Sequence, residues 1–187
     1  MIFHLKYIHW AIISMVLLLA FLHTAFAQGE PIEGFRDLKF GMTEKEVSAL
    51  EVCSTSSECL YELYGKNRYL YPLYQNSNSA GSTSSTSTAQ NLPRLVRITI
   101  DMGAFTDQFY GELQITLGES YKLTRDLTKE DMDAFTSERT SELVSEYEDG
   151  KVLLKVVRRK FGNLVLKVIY QTKEMAAESR NQRSSLQ

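Results

Sequence analysis

Histidine and tryptophan are missing from everything beyond residue 27: His4, His9, His23 and Trp10 are the only ones in the 187-residue chain. Without imidazole, serine and cysteine nucleophile sites lose their usual general base, and transition metals lose their commonest ligand. A Ser-His-Asp triad is excluded if the opening segment is discarded. Neither Gly-x-Gly-x-x-Gly nor Gly-x-x-x-x-Gly-Lys-Ser/Thr occurs, so a nucleotide finds no recognisable phosphate cradle and no cofactor is expected. The sequon Asn-x-Ser/Thr is absent too, which suits a bacterial periplasm at least as well as a eukaryotic secretory route. An excess of base is also lacking. The first 27 residues hold one of the 21 bases, Lys6, and none of the 23 acids, so their removal takes the formal charge from −2 to −3. That mild acidity argues against nucleic acid as the main partner. The run Arg158-Arg159-Lys160 reads as a solvated strand end beside a turn rather than a phosphate-binding patch.

The opening itself is apolar. A single firm positive charge precedes the run Ala11 to Leu22, and Ala25-Phe26-Ala27 supplies the small-x-small pattern of a signal-peptidase site. Residues 1–27 are therefore read as a signal peptide, with Gln28 as the new first residue and a periplasmic or secreted product without stable membrane insertion. The competing reading is a retained anchor, since Tyr7 to Ala27 approaches the roughly 20 residues needed to span a bilayer. No Cys follows the apolar run, so a lipid-modified N-terminus is not expected.

Cys53 and Cys59 are the only thiols, and in an oxidising compartment they pair by default. Along a continuous helix their Cα atoms would lie about 9 Å apart, beyond disulfide reach, so the chain must break between them. Thr43-x-x-Glu46 and Thr55-x-x-Glu58 both have capping-box form, predicting one helix that carries Val47 and Leu50 and a second over Cys59 to Tyr64, clamped at a disulfide corner. Asn67 to Tyr74 then reads as an edge strand, because Pro72 has no amide to donate. Residues 28–74 form this N-terminal helical part with its edge strand.

Residues 75–91 contain no apolar side chain larger than alanine and read as a Ser/Thr-rich flexible loop. In the 92–172 segment, Val96, Ile98, Ile100 and Met102 alternate with Arg97, Thr99 and Asp101, as in a half-buried strand. Thr106 looks like the N-cap of a helix over Asp107 to Leu117, although Leu113, Ile115 and Leu117 also fit a period of two. Thr128 to Asp131 opens a short helix carrying Met132 and Phe135. Leu143 to Glu148 and Lys151 to Arg159 flank Asp149-Gly150, and Gly162-Asn163 turns the chain into Leu164 to Gln171. Val152, Leu154, Val156, Leu164, Leu166, Val168 and Tyr170 make one core face. Leu153, Val157, Val165 and Ile169 lie among lysines on the other, which calls for a cover of N-terminal helices or a partner. The tail, 173–187, is polar and reads as frayed. The expected fold is thus α+β: two N-terminal helices joined by a disulfide corner, then an antiparallel sheet of about four to five strands with one or two helices packed on it.

Acids are the remaining chemistry. Glu130, Asp131 and Asp133 resemble a calcium loop in composition, but Thr136 stands where the sharp-turn glycine belongs, and an acid-rich helix start explains them better. Asp101 and Asp107 are candidates for a carboxylate pair in a small hydrolase, with nothing in their spacing to single them out. No metal or catalytic residue is assigned. Five tyrosines, Tyr61, Tyr64, Tyr69, Tyr71 and Tyr74, crowd around Arg68, a composition found at recognition surfaces and also in satellite cores. Arg68, Tyr69, Tyr71 and Tyr74 are the candidate partner-binding residues.

The segment Leu38-Lys39-Phe40-Gly41-Met42-Thr43-Glu44-Lys45-Glu46-Val47 resembles the opening of small exported bacterial domains of the BamE/SmpA-like kind, similar in fold to β-lactamase inhibitor domains. The resemblance spans about ten residues and implies a non-enzymatic envelope module that docks on another envelope protein. Glu51-Val52-Cys53 stands where that family has a Leu-Gly-x-Pro turn, and the disulfide is additional. Two other functions are carried as alternatives: a secreted or periplasmic enzyme inhibitor that inserts the Ser/Thr-rich loop, and the carboxylate-dependent hydrolase.

Overall fold

Period-two alternation, not helical spacing, governs the chain from Cys53 to Gln75. Cys59 and Tyr61 are buried while Leu60 and Glu62 face solvent, and Leu70 and Pro72 are buried between exposed Tyr69, Tyr71 and Leu73. The computed structural model describes residues 31–76 and 92–184, with the side chains of 183–184 excepted. The predicted signal peptide and nearly all of the predicted Ser/Thr-rich loop lie outside those residues. Ile32–Gln187 forms one compact unit, which holds every strand and helix among the described residues.

Two short strands, β1 (Gly34–Phe35) and β2 (Leu38–Lys39), pair with each other ahead of α1 (Glu44–Ser48). The expected capping box is present at α1: Thr43 accepts from the Glu46 amide and the Glu46 carboxylate accepts from the Thr43 amide. After five residues the helix ends. The chain continues as β3 (Cys53–Thr55), β4 (Glu58–Leu63), β5 (Lys66–Gln75), β6 (Arg94–Ala104), α2 (Asp107–Ser120), β7 (Leu123–Arg125), α3 (Lys129–Thr136), β8 (Glu142–Tyr147), β9 (Val152–Arg158), β10 (Leu164–Gln171) and α4 (Lys173–Ser184). The strands from β3 on form one antiparallel sheet in the order β3-β4-β5-β6-β10-β9-β8-β7.

This corrects the expected architecture: the second N-terminal helix does not exist, and the sheet has eight strands rather than four or five. Cys53 pairs directly opposite Cys59 in antiparallel register, so the disulfide staples a hairpin, not a helical corner. Thr55 turns the chain instead of capping a helix, its hydroxyl accepting from the Ser57 amide at 3.2 Å. Tyr64 and Gly65, at φ 54° and 66°, make the tight turn between β4 and β5. Consecutive left-handed residues match the right-handed twist of paired strands, so Gly65 marks a hairpin rather than a helix stop. The Pro72 strand is internal in the sheet order, yet β4 pairs with it only as far as Leu70. Pro72 therefore lies where no neighbour on that side asks for its missing amide.

The sheet consists of two four-stranded meanders, β3 to β6 and β7 to β10, joined through the antiparallel pair β6–β10. A helix precedes each, and Val47 of α1 and Leu113 and Leu117 of α2 enter the same core over one face, called the inner face. Helical phase settles the ambiguity in α2: Leu113 and Leu117 are buried and Ile115 is exposed. Phe135 of α3 joins that core, as do Val152, Leu154, Val156, Leu166, Val168 and Tyr170, the face expected for the last two strands.

The tail expected to fray is instead helical through Ser184. It is tied to the outer side of the sheet: Arg97 donates to Gln171 Oε1 and Ser179 Oγ, Gln171 donates to the Gly150 carbonyl at 2.7 Å, and Arg180 donates to the Asp149 carbonyl. Met175 and Ala176 are buried. Leu153, Ile169 and Val144 form a small separate cluster on this outer face. Among the described residues no helix is long and apolar enough to cross a membrane.

Candidate functional site

Alternation along β5 divides the four candidate recognition residues between the two faces. Arg68 pairs opposite Tyr61, a core residue, and Tyr74 pairs opposite buried Leu95. Both point inward. The Tyr74 hydroxyl donates to the Ser56 carbonyl at 2.7 Å, and burial pushes its phenol up to about 12. The Arg68 guanidinium lies 5.5 Å from the Phe109 ring centroid. Tyr69 and Tyr71 point outward, their rings stacked at 6.4 Å between centroids. The four residues are therefore not one surface; two of them are.

Leu60 of β4 pairs opposite Tyr69, and Leu73 follows Tyr71 on the same face. Leu60, Tyr69, Tyr71 and Leu73 are 41, 48, 40 and 44% exposed, an unusual run of large apolar side chains on one side of paired strands. Composition alone does not single out Leu60 and Leu73; their odd or even position relative to the tyrosines carries the signal.

A groove of about 520 Å³ adjoins Tyr69, bounded by Arg68, Asp101, Gly103, Arg159 and Asn163. Its floor exists because β6 bulges. Leu166 pairs with Gly103 and Lys167 with Asp101, so Met102 is an extra residue on one strand. Gly103 takes φ 87°, which is what requires glycine here, since the one close neighbour of a Cβ, Arg68 Nη1 at 2.7 Å, is the flexible end of a side chain. The kink folds Asp101 back to accept from the Gly103 amide at 2.8 Å and from Arg159 at 2.8 Å. The Asp101–Arg159 ion pair, at 2.8 Å, thus forms the charged edge of the groove. Beyond Arg159 the β9–β10 loop carries Phe161, 89% exposed. The sequence reading assigns this ring no role; a lone apolar residue inside Lys-Phe-Gly-Asn is the available hint.

The acidic candidates have structural duties. Asp101 is held by Gly103 and Arg159, and Asp107 sits in the first turn of α2. Asp131 caps α3 and pairs with Arg125 at 2.8 Å; burial works against its charge, but the Thr128 hydrogen bonds and Arg125 hold the carboxyl below its usual range. Asp133 pairs with Lys129 at 2.7 Å. Among the described residues no three His, Cys, Asp or Glu side chains are grouped to hold a metal ion. Arg158, read as part of a solvated strand end, stacks 4.5 Å over Phe135 and donates to its carbonyl. Set against family models, curated proteins and solved structures, the chain matches none.

Proposed function

We propose that this protein is an exported, non-enzymatic binding module of the bacterial envelope, and that it docks another envelope protein on the outer face of β4 and β5. The observation that carries the reading is the exposed set Leu60, Tyr69, Tyr71 and Leu73 beside a groove edged by the Asp101–Arg159 pair. Flat aromatic rings bury area at low entropic cost, and tyrosine and arginine dominate interface hot spots. The two leucines and two tyrosine rings select a partner segment that presents apolar side chains.

The test is a photo-reactive side chain placed at Tyr71 or at Thr116, which is exposed on α2 over the inner face. Crosslinking in intact envelopes is expected to give one defined adduct from position 71 and none from 116. The double variant Tyr69→Ala, Tyr71→Ala removes only exposed rings, so stability moves by about 0.5 kcal/mol per site or less, while the adduct formed by a photo-reactive side chain placed at Leu73 instead is lost. Equal labelling from both faces, or an adduct indifferent to loss of the two tyrosines, would refute the assignment.

A further inference from the structure

The inner face leaves a second cavity, of about 340 Å³, between the β6–β10 pair and α2. Ile100, Met102, Val168 and Tyr170 form its floor, and Leu113 and Leu117 reach in from the helix; each is at most 6% exposed. Phe35, Tyr64 and Tyr121 supply the walls. Arg36, Glu62, Thr116 and Ser120 add polar groups to the lining, and an apolar floor with a few polar groups around it is that of a small-molecule site. The space equals roughly eleven waters at liquid density, which suits a ligand smaller than a typical drug.

Three features narrow the ligand. The Phe35 and Tyr121 rings lie 5.1 and 6.1 Å from that of Tyr170, the latter nearly perpendicular, so faces and edges of aromatic rings are both presented. Tyr64 holds the left-handed conformation, costly for an aromatic residue, while its ring packs edge-on against Phe109 at the cavity side. Arg36 and Glu62 stand at the mouth with opposite charges, which gives the rim no net charge to attract an ion of either sign.

The polar chemistry comes from phenols. Tyr121 and Tyr170 both line the cavity with their rings 6.1 Å apart, and burial raises the Tyr170 phenol, so its hydroxyl keeps its proton at physiological pH. A protonated phenol carries one O–H, so this pair can donate to an acceptor held in the cavity.

We propose that this cavity binds a small, uncharged aromatic molecule carrying one hydrogen-bond acceptor, with the apolar floor holding the ring and the Tyr121–Tyr170 pair donating to the acceptor. The site is on the opposite side of the sheet from the proposed docking face and stands or falls separately.

Acetophenone and α-methylstyrene, equal in size and shape and differing in a carbonyl oxygen against a methylene, are the probes. Followed by methyl NMR of the full chain after export, acetophenone is expected to shift Leu113, Leu117 and Val168 saturably, with a dissociation constant on the order of 1 mM. The hydrocarbon is expected to bind several-fold more weakly. Thr116→Trp, at an exposed helix position on the rim, plugs the mouth without disturbing the core and should weaken acetophenone about tenfold or more. Tyr170→Phe should abolish the preference for the ketone, and Tyr71→Ala should change nothing. Equal affinity for the two probes overturns the donor assignment. Non-saturable shifts, or binding unaffected by Thr116→Trp, overturn the site.

Discussion

At the scale of single residues, the turn Tyr64-Gly65 shows how little separates a helix stop from a hairpin. Glycine terminates helices and also tolerates positive φ, so its presence after Leu63 and Tyr64 fits both readings. The structure needs the second property: nothing lies within 4 Å of a Cβ built at Gly65, so any cost of adding one is purely conformational. Gly65→Ala is expected to lower unfolding free energy by about 1–2 kcal/mol in urea titration, with the native spectrum retained. An unchanged midpoint would mean the turn relaxes freely. The recognition residues teach a similar lesson. Crowding of tyrosines around Arg68 is legible in the sequence, but only the strand reading assigns even positions 68 and 74 to the core and odd positions 69, 71 and 73 to the surface.

Among the elements, those with a local signature are legible. The strands β6, β9 and β10 alternate cleanly, and α2 and α3 announce themselves with Thr106 and Thr128, whose hydroxyls accept from Phe109 and Asp131 amides. The β3–β4 hairpin is obscured because Thr55-x-x-Glu58 meets the capping pattern equally well, and only a partner strand decides between them. Cys59 to Leu63 pairs along its whole length with β5, and those cross-strand bonds outweigh the weak local preference of a six-residue helix. The disulfide then clamps an edge hairpin. Replacing both cysteines, Cys53→Ser with Cys59→Ser, should cost about 2 kcal/mol by the loop-entropy argument and leave the chain folded. Hydrogen exchange should quicken at the Leu60 amide, which donates to Val52, well before it does in β9 and β10. Complete unfolding of the double variant would instead make this hairpin a prerequisite of the whole sheet. The helix α4 is hidden in the sequence for a related reason: its residues are polar and weakly periodic, and it is held by Arg97 and Arg180, residues 82 and 31 positions from their partners.

For the molecule as a whole, one core joins both meanders, and its buried tyrosines couple stability to alkaline pH. Burial, with the Asp37 charge adding, pushes Tyr61 up to about 12, and burial takes Tyr74 and Tyr147 to about the same value. An unfolded tyrosine ionises near pH ~10. The unfolded chain therefore loses these protons first, so the stabilisation is intact below about pH 10 and drains away as pH climbs towards 12. Tyrosinate absorbance should rise in two stages, the solvent-exposed rings first and the buried set together with unfolding. A single stage complete before the fold is lost would contradict the burial of these rings. What the sequence by itself determined is local: period-two runs, capped helix starts, a closely spaced pair of thiols and the lack of imidazole beyond residue 27 are each read from neighbouring residues. What only the tertiary structure decided is non-local: the eight-strand order, the joining of β6 to β10, the side on which each tyrosine emerges and the anchoring of α4. Those depend on contacts between residues far apart in the chain, whose closing entropy is repaid only when the complete apolar face is buried at once.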